Sequence, residues 1–328
     1  MTHDVVSIGN PLMDVLIEIE EEFLKELDLV KGNMHLIDEK GIRQIEKKLK
    51  NFEKKRSPGG SEANTLALLS MLGHKVVYFG KVGKDDYGKH YHEQLQKSGV
   101  LSKVIQVDGM TGRAITLITP DCERTFATSL GVCNLLKDSE ISEIDIVGAK
   151  YLHLTGYILD SELTRKAAIR ALNIAHSNNV KVCLDLADIN VIKRHKDLII
   201  SLAKDYVNII IANDKEAKEF TGLDPEKAIN VFSALAEIAI IKLGEKGSII
   251  QSKGELIRVP GFKAKVVDTT GAGDAYTAGF LYGLLNDLSL KVSGLIASFI
   301  ASKVVEVKGA RIDRIPIKDI EKLKLNVD

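Results

Sequence analysis

The strongest constraint on the fold is an alternation that runs the length of the chain. Short apolar runs rich in Val and Ile, among them VVSIG (Val5 to Gly9), KVCLD (Lys181 to Asp185) and IIIA (Ile209 to Ala212), take turns with longer segments of helical period. A nearly continuous apolar run is buried on both faces, as happens when helices cover both sides of a parallel sheet. Strands are also expected at Val76 to Gly80, Tyr151 to Leu154, Ile238 to Leu243 and Gly247 to Gln251. The intervening segments predict helices at Ser61 to Leu72, Tyr87 to Ser98, Ser161 to Asn178, Ile192 to Ala203, Asp214 to Thr221 and Pro225 to Ala234, then Ala272 to Leu285 and Lys291 to Val305. The expected class is α/β, a central mostly parallel sheet with helices on both faces.

Two regions break the rhythm. Met13 to Glu20 and Gly112 to Thr128 roughly alternate apolar and polar residues, as strands with one exposed face do. They predict a small antiparallel β lid built from two inserted segments, approximately 12–50 and 100–128, within a single domain spanning 1–328. Glu21 to Leu27 and Asp38 to Leu49 read as charged helices between its strands. The run EKKLKNFEKKR interleaves acids and lacks an aromatic ladder, so it reads as a solvated helix face rather than a nucleic-acid patch.

Charge and cysteine content narrow the partners. The 45 basic and 45 acidic residues cancel, leaving no global field to recruit nucleic acid or an acidic membrane. Cys122, Cys133 and Cys183 are far apart and odd in number, which fits neither a disulfide framework nor a zinc site and points to a reducing compartment. His153 and His176 lack metal spacing and read as structural. With no leader-like start and no apolar run near ~20 residues, a cytoplasmic protein acting on small molecules is expected.

Chemistry concentrates in DTTGAGDAYTAG, Asp268 to Gly279. Glycines at a helix start let the backbone approach a ligand, and the free first-turn amides favour an anion there. Asp274 would repel that anion but is placed to take a proton from an attacking hydroxyl; otherwise it caps the helix. No GxxxxGK[ST] loop and no early GxGxxG after a strand is present. Elsewhere, Asp14 follows a Gly-Asn-Pro turn and can accept hydrogen bonds from vicinal hydroxyls, or it is simply a turn acid. Gly59 and Gly60 admit close backbone approach, while Ser61 can cap the helix that carries Asn64 one turn in. Asn213 and Glu216 in NDKE form a cap with an acid in the first turn.

Taken in order, VSIGNPLMDV, PGGSEANTLALLSMLG, NDKEA and DTTGAGDAYTAGFLYGL give the chain a whole-length resemblance to the ribokinase-like (PfkB) carbohydrate and nucleoside kinase family. The resemblance implies ATP and Mg2+ as cofactors. It implies Asp274 as general base beside an anion hole of Gly271, Ala272 and Gly273. Asn10, Asp14, Gly59, Gly60, Ser61 and Asn64 would hold a sugar. Asn213 and Glu216 would organise Mg2+ through water, and Lys242, Gly244 and Gly247 would meet nucleotide phosphates, although a surface lysine is the plain alternative for Lys242. Arg124 on the lid would reach the phosphate under transfer, or make an ion pair on a hairpin. Asp268 and Thr270 match positions that supply oxygens to a monovalent cation such as K+.

Within the family, GNPLMDV, the helices between the lid strands and ERTFATSLGVCNLL resemble the adenosine kinase branch. By that likeness Met34, Leu36 and Tyr157 would flank a purine ring, the alternative being ordinary core packing. A purine nucleoside is the expected acceptor, with a ribokinase-like sugar kinase or a non-catalytic ligand-binding protein on the same fold as alternatives. The charged lid helices favour a monomer over a lid-mediated homodimer.

Overall fold

In the computed structural model, which describes residues 2–121 and 123–325, the apolar runs form the interior of a nine-stranded sheet. The chain runs β1 (Val5–Ile8), β2 (Leu12–Glu18), α1 (Glu21–Glu26), β3 (Met34–Leu36), α2 (Glu39–Lys48), β4 (Lys55–Pro58), α3 (Ser61–Met71), β5 (Val76–Gly83), α4 (Asp86–Lys97), β6 (Leu101–Val107), β7 (Gly112–Ile118) and β8 (Arg124–Ser129). It continues through α5 (Glu143–Val147), β9 (Tyr151–Thr155), α6 (Glu162–Ser177), β10 (Lys181–Asp185), α7 (Ile189–Tyr206), β11 (Ile209–Asn213), α8 (Asp214–Thr221), α9 (Pro225–Ser233), β12 (Ile238–Lys242), β13 (Ser248–Ser252) and β14 (Glu255–Val259). Three helices close it: α10 (Ala272–Leu285), α11 (Leu290–Val304) and α12 (Ile317–Leu325).

The main sheet has the order β14-β13-β12-β11-β10-β9-β1-β5-β6. Pairing is parallel from β6 to β12 and antiparallel across β13 and β14. One face is covered by a core that includes Ala167, Ala171, Ile199, Phe220 and Phe232 from α6 to α9. The other packs Leu66, Leu69, Tyr91, Phe280, Ile296 and Ile300 from α3, α4, α10 and α11. Because α10 lies between the sheet, α3 and α11, it is apolar nearly all round, apart from its first turn. Among the described residues no helix is long and apolar enough to cross a membrane.

The second sheet has the order β3-β8-β7-β2-β4 and its own core, in which Val15, Ile17, Ile115 and Leu117 meet Leu24, Ile42 and Ile45 of α1 and α2. It differs from expectation in two ways. It is mixed rather than antiparallel, since β2 runs parallel to β7 and β3 parallel to β8. Its boundaries also shift: Leu101–Val107 is an edge strand of the main sheet paired with β5, and Lys55–Pro58 joins the small sheet beside β2. Edge position explains both misreadings, because β6 shows alternation with one side wet and KRSP has almost no apolar signature. Cys133 and Cys183 are buried and free, and Cys122 lies outside the described residues.

Candidate active site

Five neighbouring parallel strands end in a polar residue on the same edge of the main sheet. Asn10 follows β1, Thr155 ends β9, Asp185 ends β10, Asn213 ends β11 and Lys242 ends β12. The carboxyl edge of an open parallel sheet is where ligand crevices form, because the loops there diverge. A cleft of about 1780 Å³ opens along that edge, with the start of α10 on its floor and β3 of the small sheet on its rim.

Asp274 sits in the first turn of α10. Ser61 Oγ donates to its Oδ1, and Asn64 Nδ2 donates to its Oδ2 at 2.9 Å. Removal from water raises the Asp274 pKa above the ordinary range, while the Ser61 and Asn64 hydrogen bonds act in the opposite sense. The result is a carboxylate that is oriented and more basic than usual. Gly271, the N-cap, has φ +77 and lies so close to Ala310 that a Cβ would stand 2.6 Å from the alanine Cβ. The residue must therefore be glycine to start the helix here.

Lys242 lies well inside the cleft instead of on the surface. Its side chain is 13% exposed and its Nζ donates to Asp185 Oδ2 at 2.7 Å. Thr277 Oγ1 donates to the same Asp185 oxygen at 3.2 Å. The ammonium also stands 3.2 Å from the point where a Cβ on Gly273 would be, placing a cation directly over the first turn of α10. On the next strand, Asn213 and Glu216 form a reciprocal cap: Asn213 N donates to Glu216 Oε2 and Glu216 N to Asn213 Oδ1, each at 2.8 Å. Burial, reinforced by Asp185, pushes the Glu216 carboxyl up to about 7. Among the described residues no group of three or more His, Cys, Asp or Glu gathers as a metal cage. The all-oxygen set of Asp185, Asn213 and Glu216 has the donor chemistry of a hard cation that keeps much of its water, which is the character of Mg2+.

At the other end of the cleft, Asp14 on β2 lies against Gly59, whose missing side chain is what leaves room for the carboxylate: a Cβ there would be 2.4 Å from Asp14 Oδ2. Burial raises the Asp14 carboxyl to about 7 against the opposing charge of Arg311. Asn10 Oδ1 is buried without a hydrogen-bond partner, a group that only a ligand or water would satisfy. Apolar side chains line the same cleft, with Met34 52% and Leu36 68% exposed, together with Tyr157.

Arg124 reaches from β8 to the loop before α10. Its Nη1 donates to Asp268 and to Thr270 Oγ1, the latter at 2.7 Å. Asp268 is also capped by Thr270 N at 2.8 Å and Gly309 N at 2.7 Å. Burial alone would raise its pKa; the hydrogen bond from Arg124, with those from Thr270 and Gly309, holds it below the usual carboxylate range. The oxygens expected to serve K+ are therefore engaged by a guanidinium and backbone amides.

Comparison with known proteins decides the family. The profile described as pfkB family carbohydrate kinase matches residues 30–318. The chain belongs to the PfkB carbohydrate kinase family. A 5-dehydro-2-deoxygluconokinase of Bacillus subtilis (strain 168) is 32% identical over 75% of this chain and 81% of its own length. An adenosine kinase of Saccharomyces cerevisiae is 29% identical, covering 94% of this chain and 96% of its own. The solved adenosine kinase from Sinorhizobium meliloti superposes with a TM-score of 0.89 at 29% identity, over 98% of this chain and 99% of that one. The PfkB kinase described here is thus a phosphotransferase acting on a sugar hydroxyl, with the ribokinase-like arrangement of a large sheet and a small one.

Most residues singled out in the sequence line this one cleft, including Asn10, Asp14, Gly60, Ser61 and Asn64 at one end and Asn213, Glu216, Lys242, Gly244 and Gly247 at the other. Gly59, Arg124 and Asp268 are not among its lining residues. Of the loop glycines, Gly244 has open space where a side chain would be, while Gly247 is pressed against the Val259 carbonyl. The PfkB kinase also has groups that sequence reasoning missed. Asp185, the partner of Lys242, carried a usable signal as an acid ending an apolar strand. Glu62, 1% exposed, accepts from Thr155 Oγ1 at 2.5 Å, and Arg311 Nε donates to Asn64 Oδ1 at 2.9 Å. Neither announced itself, since an acid such as Glu62 is common in the first turn of a helix and Arg311 is remote in the chain.

Proposed function

We propose that this PfkB kinase transfers the terminal phosphoryl group of ATP to the primary sugar hydroxyl of a purine nucleoside such as adenosine, with Asp274 as general base. The observation that carries the reading is that exposed Met34 and Leu36, with Tyr157, line the same cleft as Asp14 and Asp274. Apolar and aromatic surfaces above a hydroxyl-binding floor suit a flat base attached to a sugar. In this reading Asp14, with the Gly59-Gly60 turn and Asn64, orients the sugar. Asp274 accepts the hydroxyl proton as oxygen attacks phosphorus. The amides of Ala272, Gly273 and Asp274, with Lys242, hold the developing negative charge. Mg2+ would be held near Glu216, Asn213 and Asp185 and would neutralise phosphate charge. Arg124 adds a guanidinium when the small sheet closes, and closure keeps water from consuming ATP.

A sugar acceptor is the second reading, favoured by the 32% identity with the Bacillus gluconate-type kinase. A panel of nucleosides, ribose, fructose and 5-dehydro-2-deoxygluconate, each tested with ATP and Mg2+, separates the two. Efficient turnover of adenosine supports the first reading, and preference for a free sugar by kcat/KM overturns it. Binding without turnover of any panel member would instead make the chain a ligand-binding protein.

A further inference from the structure

One charge packed against Asn64 has no part in the roles above. Arg311 lies after α11, in the stretch that follows Gly309. Its Nε donates to Asn64 Oδ1 at 2.9 Å, and Asn64 Nδ2 donates to Asp274 Oδ2 at 2.9 Å. Its Nη2 is sealed from water without a hydrogen-bond partner. Burial of a guanidinium with an unused donor is costly, and it persists where surrounding negative charge compensates. The titratable groups that face it are Asp14 from β2, Asp274 from α10, Tyr78 from β5 and Tyr91 from α4. Asp268 bears on Asp14, and Glu62 of α3 bears on Tyr78 and Tyr91.

The arrangement resolves an ambiguity that Asn64 has by itself. A side-chain amide can turn either its oxygen or its NH2 toward a neighbour at almost equal volume. Against Asp274 only the NH2 is attractive. Arg311, a pure donor, claims the oxygen, and a flipped Asn64 would set oxygen against carboxylate and NH2 against guanidinium.

We propose that Arg311 is a positioning residue for phosphoryl transfer, orienting Asn64 toward the Asp274 carboxylate. The inference rests on the reading of Asp274 as base and Asp14 as acceptor ligand. Asp14 titrates at about 7, raised by burial and by Asp274 and Asp268 and lowered by Arg311. Acceptor kcat/KM should therefore climb with pH through neutrality. Without the guanidinium only the upward influences remain, and the acid limb moves to higher pH.

The test compares Arg311→Gln, Arg311→Lys and Asp274→Asn in the full chain, with the best acceptor of the panel. The readouts are pH profiles of acceptor kcat/KM and the ATP dissociation constant. Arg311→Gln is expected to lower acceptor kcat/KM by about 10- to 100-fold, the worth of a charge-assisted hydrogen bond, with the acid limb displaced upward and ATP affinity kept. Arg311→Lys keeps the charge, so its limb stays near the wild-type position while kcat/KM falls by about 10-fold. A lesion that merely loosened the structure would lower activity without moving the limb. If Arg311→Gln binds ATP normally and shows unchanged acceptor kcat/KM, or a loss with an unmoved limb, the proposal is overturned. Should Arg311→Gln not fold, Arg311→Lys decides, and wild-type kcat/KM in that variant overturns the orienting role. Near-normal turnover by Asp274→Asn would defeat the base reading and the orienting role with it. An inactive Asp274→Asn beside an unaffected Arg311→Gln would defeat this inference alone.

Discussion

Arg124 on β8 donates one guanidinium nitrogen to both Asp268 and the Thr270 hydroxyl, so a cation of the small sheet rests on the loop that leads into α10. The same nitrogen cannot serve these oxygens and a phosphate at once. In the proposed mechanism Nη1 leaves these oxygens for the phosphate when the small sheet closes over the substrates.

That exchange makes Arg124 a turnover residue more than a binding residue. Arg124→Ala should lower kcat by about 10²- to 10³-fold, the scale seen when one donor to transition-state charge is lost. The KM for ATP should change little. Arg124→Lys should fail to restore the rate, since an ammonium lacks the planar fork that spans two oxygens. Steady-state kinetics on the three enzymes checks both statements.

Asp274→Asn keeps the shape of the side chain and removes its ability to take a proton. Turnover should fall by about 10²- to 10⁴-fold. Acceptor and ATP should still bind, because Ser61 and Asn64 hold this position in place. Calorimetric titration of both ligands separates that outcome from a collapsed site.

The space that Gly273 leaves beneath the Lys242 ammonium gives a prediction about ATP. A methyl group on Gly273 would meet the ammonium at 3.2 Å and take up the space between it and the helix start. Gly273→Ala should raise the KM for ATP by about 10-fold, the cost of one lost charge-assisted contact. Lys242→Met should have at least that effect and should also free Asp185 from its ion pair. Titration with ATP at fixed acceptor concentration is the measurement.

Glu62 links the site to stability. Burial, with a contribution from Asp274, places its folded pKa at about 7 against an ordinary 4.5. Between those values the folded protein keeps a proton that the unfolded chain has released. Stability therefore falls as pH rises through that window and levels off above it. Asp14 and Glu216, also raised to about 7, act in the same sense. Glu62→Gln, which can still accept from Thr155, should flatten the dependence and be the more stable protein above neutrality by roughly 1–3 kcal/mol. Denaturant unfolding of both proteins across the window tests it.

What the sequence made legible was whatever lies close together along it. The buried strands and their helices were readable because burial on two faces writes a continuous apolar run, and Lys181–Asp185, Asp214–Thr221 and Ala272–Leu285 occur where periodicity put them. GAGD, GGSEAN and NDKE were readable because each packs its chemistry into one turn. The edge strands β4 and β6 were not, since an edge lacks the double burial that marks a strand. The Lys242–Asp185 pair joins residues 57 apart, and Arg311 meets Asn64 across 247. Pairing of that kind is a property of sheet order and of the return of the chain after α11, and no local pattern encodes it.

Strand β4 ends at Pro58, and the next three residues are Gly59, Gly60 and Ser61. Gly59 lies under Asp14, Gly60 turns the chain at φ +92, and Ser61 holds the base. The small sheet is therefore joined to the residue that holds Asp274, the proposed base, by a linkage two residues long. A tilt of that sheet would have only this turn through which to reach the Ser61 hydroxyl and, beyond it, Asp274. On the proposed mechanism this is the layout of an interlock, with the base braced by the same turn that lies against the acceptor-binding Asp14.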